Sequence, residues 1–149
     1  EPPGFPGRFT RPDIGDVRAG LLTVKQAARI RGCKPKYLEQ LVWQAVKADV
    51  LERDGACVIC SRPDGVLDVH HRMARGSGGT SVAHIAFGMA NLITLCREHH
   101  MWVEGNPDEA REHGWKLDHG DTLPADLEVL RFGATVRLFD DGSFLAVVA

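Results

Sequence analysis

The apolar positions of this chain change rhythm along its length, and the changes mark its elements. Leu38, Leu41, Val42 and Ala45 recur at i, i+3, i+4, i+7, the stripe of an amphipathic helix. Thr23 and Gln26 form a capping-box pattern that opens an earlier helix, and Ala27 and Ala28 would let that helix pack closely. Gly32 is placed to end it and Pro35 to open the next. Ala56–Ile59 and Val66–His71 read as short strands, and Arg75–Thr80 as a loop by composition. Residues 81–90 read as a packed loop or a substrate contact. Residues 96–104 read as a helix ended by Gly105, with Asn106 and Pro107 suited to cap and open another. Val136–Phe139 and Phe144–Val148 flank Asp141-Gly142, a strong hairpin signal. Residues 1–20 hold four prolines and four glycines without hydrophobic periodicity and read as a flexible arm. The expected organisation is an α+β chain: arm 1–20, helical segment 21–54, core 55–105, and helix with β-hairpin extension 106–149. Helix, short Gly turn, helix in 21–54 fits either a helix-turn-helix or a plain helical hairpin that buttresses the core.

Bulk properties narrow the class. The 149 residues suit one domain or a small core with extensions. The apolar fraction of 44% is ordinary for a globular chain, and no apolar run reaches the roughly 18 residues of a membrane span. No membrane partner is expected. There is no signal-peptide pattern, and three of the four cysteines sit at metal-ligand spacing, with Cys33 alone. A reducing, cytoplasmic setting is therefore expected rather than a disulfide framework. The net charge of −2 does not advertise a polyanion partner. Its distribution does: residues 21–53 carry +4, residues 71–103 carry +2, and residues 104–149 carry −6. That asymmetry fits a polyanion held on one side, although ordinary surface charge would also produce it.

The chemistry-bearing residues are concentrated in the middle. Cys57-x-x-Cys60 and Cys96-x-x-His99 are two pairs at the spacing tetrahedral zinc uses, and a closed four-ligand site is structural. His100 competes with His99 for the fourth place, with Cys-x-x-His the better match to the first pair. Between and beyond the pairs lie His70-His71-Arg72, Asn91 and His99-His100. His84, His113 and His119 read as exposed, and Trp43, Trp102 and Trp115 as core or lid residues.

The string RDGACVIC…LDVHHR…GG…NLITLCREHH resembles the zinc-containing HNH endonucleases of phage and bacterial type. ARGSGG and WVEGNPDEAREHGW resemble the phage-type members in particular. The resemblance covers about residues 50–118. It implies a ββα-metal (His-Me finger) core: a two-stranded hairpin and a helix around one catalytic divalent ion, stapled by structural Zn²⁺. It also implies roles. His70 would be a metal ligand on the first strand, His71 the general base, Asn91 the residue that ties down the loop and orients the base, and His100 the ligand on the helix. Arg72 and Arg75 are placed to clamp phosphate oxygens. The family often carries a third His or an Asn four residues after the helix histidine; here that residue is Glu104, one turn from His100. A His/His/Glu set favours Mg²⁺ or Mn²⁺, with Ni²⁺ a further candidate in vitro. Neighbours on a regular strand face opposite ways, so His70 and His71 share a site only across a bulge or a strand end.

The expected activity is metal-dependent hydrolysis of DNA phosphodiesters, by nicking or double-strand cleavage, to 5′-phosphate and 3′-hydroxyl ends. Two alternatives stand beside it. One is a non-catalytic, zinc-stabilised DNA-binding module. The other is a subunit active only within a phage packaging or defence assembly.

Overall fold

The computed structural model describes residues 12–75 and 82–148. Residues 1–11 of the expected arm and 76–80 of the expected Arg75–Thr80 loop lie outside them. Within the rest of the arm, residues Pro12–Arg18 form a helix, α1, and so depart from the expected irregular segment. Ile14 and Val17 sit at i, i+3 and are both buried, so a single apolar pair is enough to dock this short helix.

Helices α2 (Val24–Arg31) and α3 (Pro35–Asp54) follow the sequence reading closely. Gln26 N donates to Thr23 Oγ1 at 3.1 Å and Thr23 N donates to Gln26 Oε1 at 2.8 Å, which completes the capping box. Gly32 closes α2 at φ 72°, a conformation that favours glycine, and Pro35 begins α3. The buried ridge of α3 is Leu38, Val42, Val46 and Val50, all fully inaccessible. Burying each side chain contributes roughly 1.5–3 kcal/mol. This ridge packs with Ile14, Val17, Ala27 and Ala28 against Ala86, Phe87, Met89 and Leu92.

The fifth position of that ridge is Asp54, a buried carboxylate. It accepts hydrogen bonds from Arg53, Arg131 and the Thr94 amide, and so joins α3 to two strands. Those strands belong to two small antiparallel sheets. In the first, β1 (Leu67–His71) pairs with β2 (Leu92–Cys96), from Leu67 opposite Cys96 to His71 opposite Leu92. The expected strand Ala56–Ile59 does not form. That segment is a turn: Ser61 N donates to Cys57 O and Cys57 N donates to Arg62 O, closing the backbone on itself around the two cysteines. Helix α4 (Ala83–Ala86) and a 3-10 turn (Met89–Asn91) lead into β2. All five residues of β2 are buried.

Helix α5 (Arg97–Gly105) leaves β2 directly, with Cys96 as its N-cap. Helix α6 (Pro107–Glu112) follows. Asn106 does not cap α6 with its side chain as expected; its amide donates instead to Trp102 O at the end of α5. A 3-10 turn (Pro124–Asp126) then precedes the second sheet, β3 (Val129–Arg131), β4 (Ala134–Leu138) and β5 (Phe144–Ala146), in that order. The Asp141-Gly142 turn joins β4 and β5 as its sequence implies. The three-residue β3 carries too short a pattern to be read from sequence. Its approach depends on Gly114, where any Cβ would collide with the carbonyl oxygen of Glu128. The chain is therefore a mixed α+β structure with small antiparallel sheets. No helix of the described residues is long and apolar enough to cross a membrane.

Candidate functional site

The turn at Cys57–Cys60 and the start of α5 bring the first ligand set together. The four ligand atoms of Cys57, Cys60, Cys96 and His99 lie within 4.8 Å of one another. Cys60 Sγ and Cys96 Sγ are 3.9 Å apart, Cys57 Sγ and His99 Nδ1 3.9 Å, and Cys96 Sγ and His99 Nδ1 3.2 Å. Tetrahedral zinc with bonds of about 2.3 Å to sulfur and about 2.0–2.1 Å to nitrogen gives edges of roughly 3.8 Å and 3.5 Å. The spacing fits. The thiols also need a cation. Burial raises Cys57, but backbone bonds from Cys96, Cys60 and Ile59 outweigh it and leave that thiol below its ordinary value. Cys60 is pushed up by burial and by the neighbouring sulfurs. One thiolate opposes the next until a metal neutralises them. The cluster can hold a structural metal such as zinc, with His99 rather than His100 as its fourth ligand.

The second set lies on β1 and α5. Ligand atoms of His70, His100 and Glu104 are also within 4.8 Å of one another. His70 Nε2 lies 2.9 Å from the Trp115 carbonyl oxygen. A carbonyl only accepts, so Nε2 carries the proton and Nδ1 presents a lone pair. That Nδ1 faces Glu104 Oε1 at 3.5 Å. Burial pushes His70 down to about 4, so the ring is neutral at pH 7 and cannot pair with the carboxylate as a cation. Two acceptors therefore face each other, an arrangement that calls for a cation between them. His100 is oriented in the same sense. Its Nδ1 lies 3.0 Å from Asp68 Oδ2, which leaves Nε2 free. Two hydrogen bonds from Arg97, with the His100 contact, hold Asp68 below the usual carboxylate range. Glu104 Oε2 also accepts from Lys116 Nζ at 3.2 Å.

His71 is on the opposite face of β1. The strand is in regular register through its last residue, His71, with no bulge, so alternation separates the two histidines. His71 Nε2 donates to Ala86 O at 3.1 Å, and its ring stacks on Trp43 at 5.1 Å between centroids. Nδ1 is the free nitrogen. Burial, helped by the charge of Arg75, lowers its pKa. Asn91 is fully buried. Its Oδ1 accepts from Met73 N at 2.7 Å, and its Nδ2 donates to Met73 O and Ile85 O at 3.0 and 2.9 Å. One side chain thus ties together the two sides of the segment that carries Ala86, the acceptor of His71.

The placement expected for Arg72 is overturned. Its side chain is fully buried and donates to the carbonyls of Gly114, Ala90, Pro124, Leu127 and Glu128. It bonds the interior and presents nothing to a phosphate. The reason is strand alternation past the end of β1, which turns position 72 inward beneath α6 and the 3-10 turn at Pro124. Arg75 reaches Glu39 of α3 at 2.9 Å. It lines a large groove with Arg18, Lys25, Ala83, His84 and Asp140, which contains none of the ligating residues.

Two contributors carry no role in the sequence reading, Asp68 behind His100 and Lys47 beside it, and two read as core or lid tryptophans contribute to the site, Trp43 through its ring on His71 and Trp115 through its carbonyl on His70. Asp68 stands two residues before His70 on the same strand, the signal that could have found it. A small cleft beside His100 is lined by Trp43, Lys47, Asp68, Val69, Arg97 and His100. Comparison of the chain with protein-family models, with curated proteins and with solved structures finds no match.

Proposed function

We propose that this protein is a metal-dependent DNA endonuclease of the HNH type, hydrolysing phosphodiesters to 5′-phosphate and 3′-hydroxyl ends. The observation that carries the reading is the neutral His70 Nδ1 lone pair facing the Glu104 carboxylate, with His100 Nε2 free beside it. Those three groups would hold Mg²⁺ or Mn²⁺, which supplies charge neutralisation at the phosphate and the leaving oxygen. His71 Nδ1 takes a proton from water as the water oxygen bonds to phosphorus and the P–O3′ bond breaks, and the departing O3′ takes a proton from solvent water to become the 3′-hydroxyl. The Ala86 carbonyl fixes the tautomer that leaves Nδ1 free, Trp43 holds the ring plane, and Asn91 fixes the segment behind it. Because His70 and His71 point to opposite faces, a phosphodiester meets both only by lying over the end and free edge of β1.

The test is to incubate the zinc-loaded chain with supercoiled plasmid and Mg²⁺, Mn²⁺ or Ni²⁺, alongside His71→Ala and Glu104→Gln. Cutting by wild type that falls about 10²–10⁴-fold in His71→Ala supports the proposal. Glu104→Gln should lose more activity in Mg²⁺ than in Ni²⁺, since the harder ion depends more on the carboxylate. Binding without cutting under all three ions would instead favour a zinc-stabilised DNA-binding module. Neither binding nor cutting would point to a subunit that needs an assembly.

A further inference from the structure

We infer that the cleft between α3 and the free edge of β1 seats a backbone phosphate of a nucleic-acid duplex, with Lys47 Nζ and the Val69 amide as its donors. The inference rests on the endonuclease reading for the nature of the ligand, and on separate residues for the site.

Three observations meet there. First, Lys47 is half-buried and has no hydrogen-bond or ion-pair partner among the described residues. Arg97, the other basic residue of the cleft, is paired with Asp68. A half-buried ammonium with three unused donors, at the lip of a cleft, suits an anion. Asp68 in the same cleft does not repel one strongly, because Arg97 and His100 both bond its carboxylate.

Second, the ladder of the first sheet leaves Val69 facing outward. Arg97 N donates to Val66 O at 3.1 Å and Arg72 N donates to Asn91 O at 2.8 Å. Hydrogen-bonded and non-hydrogen-bonded pairs alternate between these two points, so Val69 opposite Thr94 is a non-hydrogen-bonded pair. Thr94 agrees: its amide bonds Asp54 and its carbonyl bonds Val58, both away from β1. The Val69 N–H therefore points to the free edge that lines the cleft.

Third, the cleft continues into a stripe along α3. At 3.6 residues per turn, Lys36, Gln40, Trp43 and Lys47 fall within about 60° of one helix face. Lys36 and Gln40 are exposed, and Trp43 and Lys47 are half-buried. From Lys36 to Lys47 the helix rises roughly 16 Å, long enough to follow several phosphates of one strand. A free phosphate ion would need only the cleft; a stripe of donors leading into it, toward His100, fits a chain of phosphates. Lys47 then holds the phosphate next to the one that meets the metal ligands.

The experiment is a salt series of duplex binding, read by fluorescence anisotropy of a short labelled duplex, with zinc-loaded protein and no added divalent ion. Lys47→Met, which keeps the apolar stem, should weaken binding several-fold and reduce the slope of log K against log salt by about one. Lys36→Met should do the same, and Lys47→Arg should restore the slope. In a parallel titration, inorganic phosphate should shift the Val69 amide resonance in wild type and not in Lys47→Met. An unchanged slope in Lys47→Met overturns the inference. If inorganic phosphate moves Val69 but the duplex slope ignores Lys47, the cleft takes a free anion and the duplex assignment falls. Plasmid cutting is scored separately. A wild type that cuts while Lys47→Met keeps its slope removes only the cleft. A slope that falls in a protein that never cuts removes the nuclease reading and leaves the cleft.

Discussion

Replacing Arg72 separates its two possible roles in a single melt. The structure gives its guanidinium five carbonyl acceptors, on α6's end, on the approach to β2 and on the segment before β3. Arg72→Met keeps most of the volume and removes every donor. Four carbonyls then lose the partner Arg72 gave them, and Pro124 O keeps only the Leu127 amide. At a net of about 1 kcal/mol for each lost bond, the change is on the order of 5 kcal/mol. Relief from burying the charge reduces this figure, because burial already pushes the guanidinium down to about 10. What remains is a large fraction of the roughly 5–15 kcal/mol that holds a domain together. For a chain of this size, about 2–4 °C is lost for each kcal/mol, so a fall in Tm of several degrees, with roughly 10–20 °C as its upper bound, is expected for the zinc-loaded protein, followed by far-ultraviolet circular dichroism. Arg72→Lys, with its charge kept but its planar fork gone, should fall between. A phosphate clamp behaves in the opposite way: duplex affinity drops while Tm stays put. A variant melting within about 2 °C of wild type with weakened duplex binding would refute the structural reading of Arg72.

Three further outcomes are expected. Cys60→Ala should lose zinc, measured by a colorimetric metal assay, and lose the cooperative melt of the core around Cys57, Val58 and Ile93, because ligand-binding energy at such a site is folding energy; a wild-type melt would sink the zinc assignment. Calorimetric titration with Mn²⁺ should show binding kept in His71→Ala and lost in His70→Ala, and the reverse pattern would exchange their roles. His70 makes stability depend on pH. Its folded value of about 4 lies below the ordinary 6.5, so the unfolded chain binds the extra proton, and stability falls as pH drops from about 6.5 toward 4, by up to roughly 3 kcal/mol. Urea midpoints of wild type without added divalent ion should show this loss relative to His70→Gln, and parallel midpoints across that range would contradict it.

What the sequence determined by itself was local. The capping box at Thr23 and Gln26, the Gly32 stop, the α3 stripe and the Asp141-Gly142 turn are interactions between residues a few positions apart, so their spacing is their signal. Cys57, Cys60, Cys96 and His99 were legible for the same reason, as two short pairs on a turn and a helix start. Tertiary structure decided the pairings. Ala56–Ile59 has strand-like composition, yet it forms a turn closed by backbone bonds to Ser61 and Arg62, and β1 takes the fully buried Leu92–Cys96 as its partner. Arg72 reads as a surface cation beside two functional histidines. Its role followed only from where carbonyls of residues 90, 114, 124, 127 and 128 converge, a meeting no local pattern encodes. The same holds for Asp68, Trp43 and Lys47. Asp68 bonds His100 and Trp43 stacks on His71, tens of positions away, and Lys47 lines one cleft with Asp68, Arg97 and His100; proximity of that range is visible only once the chain has folded.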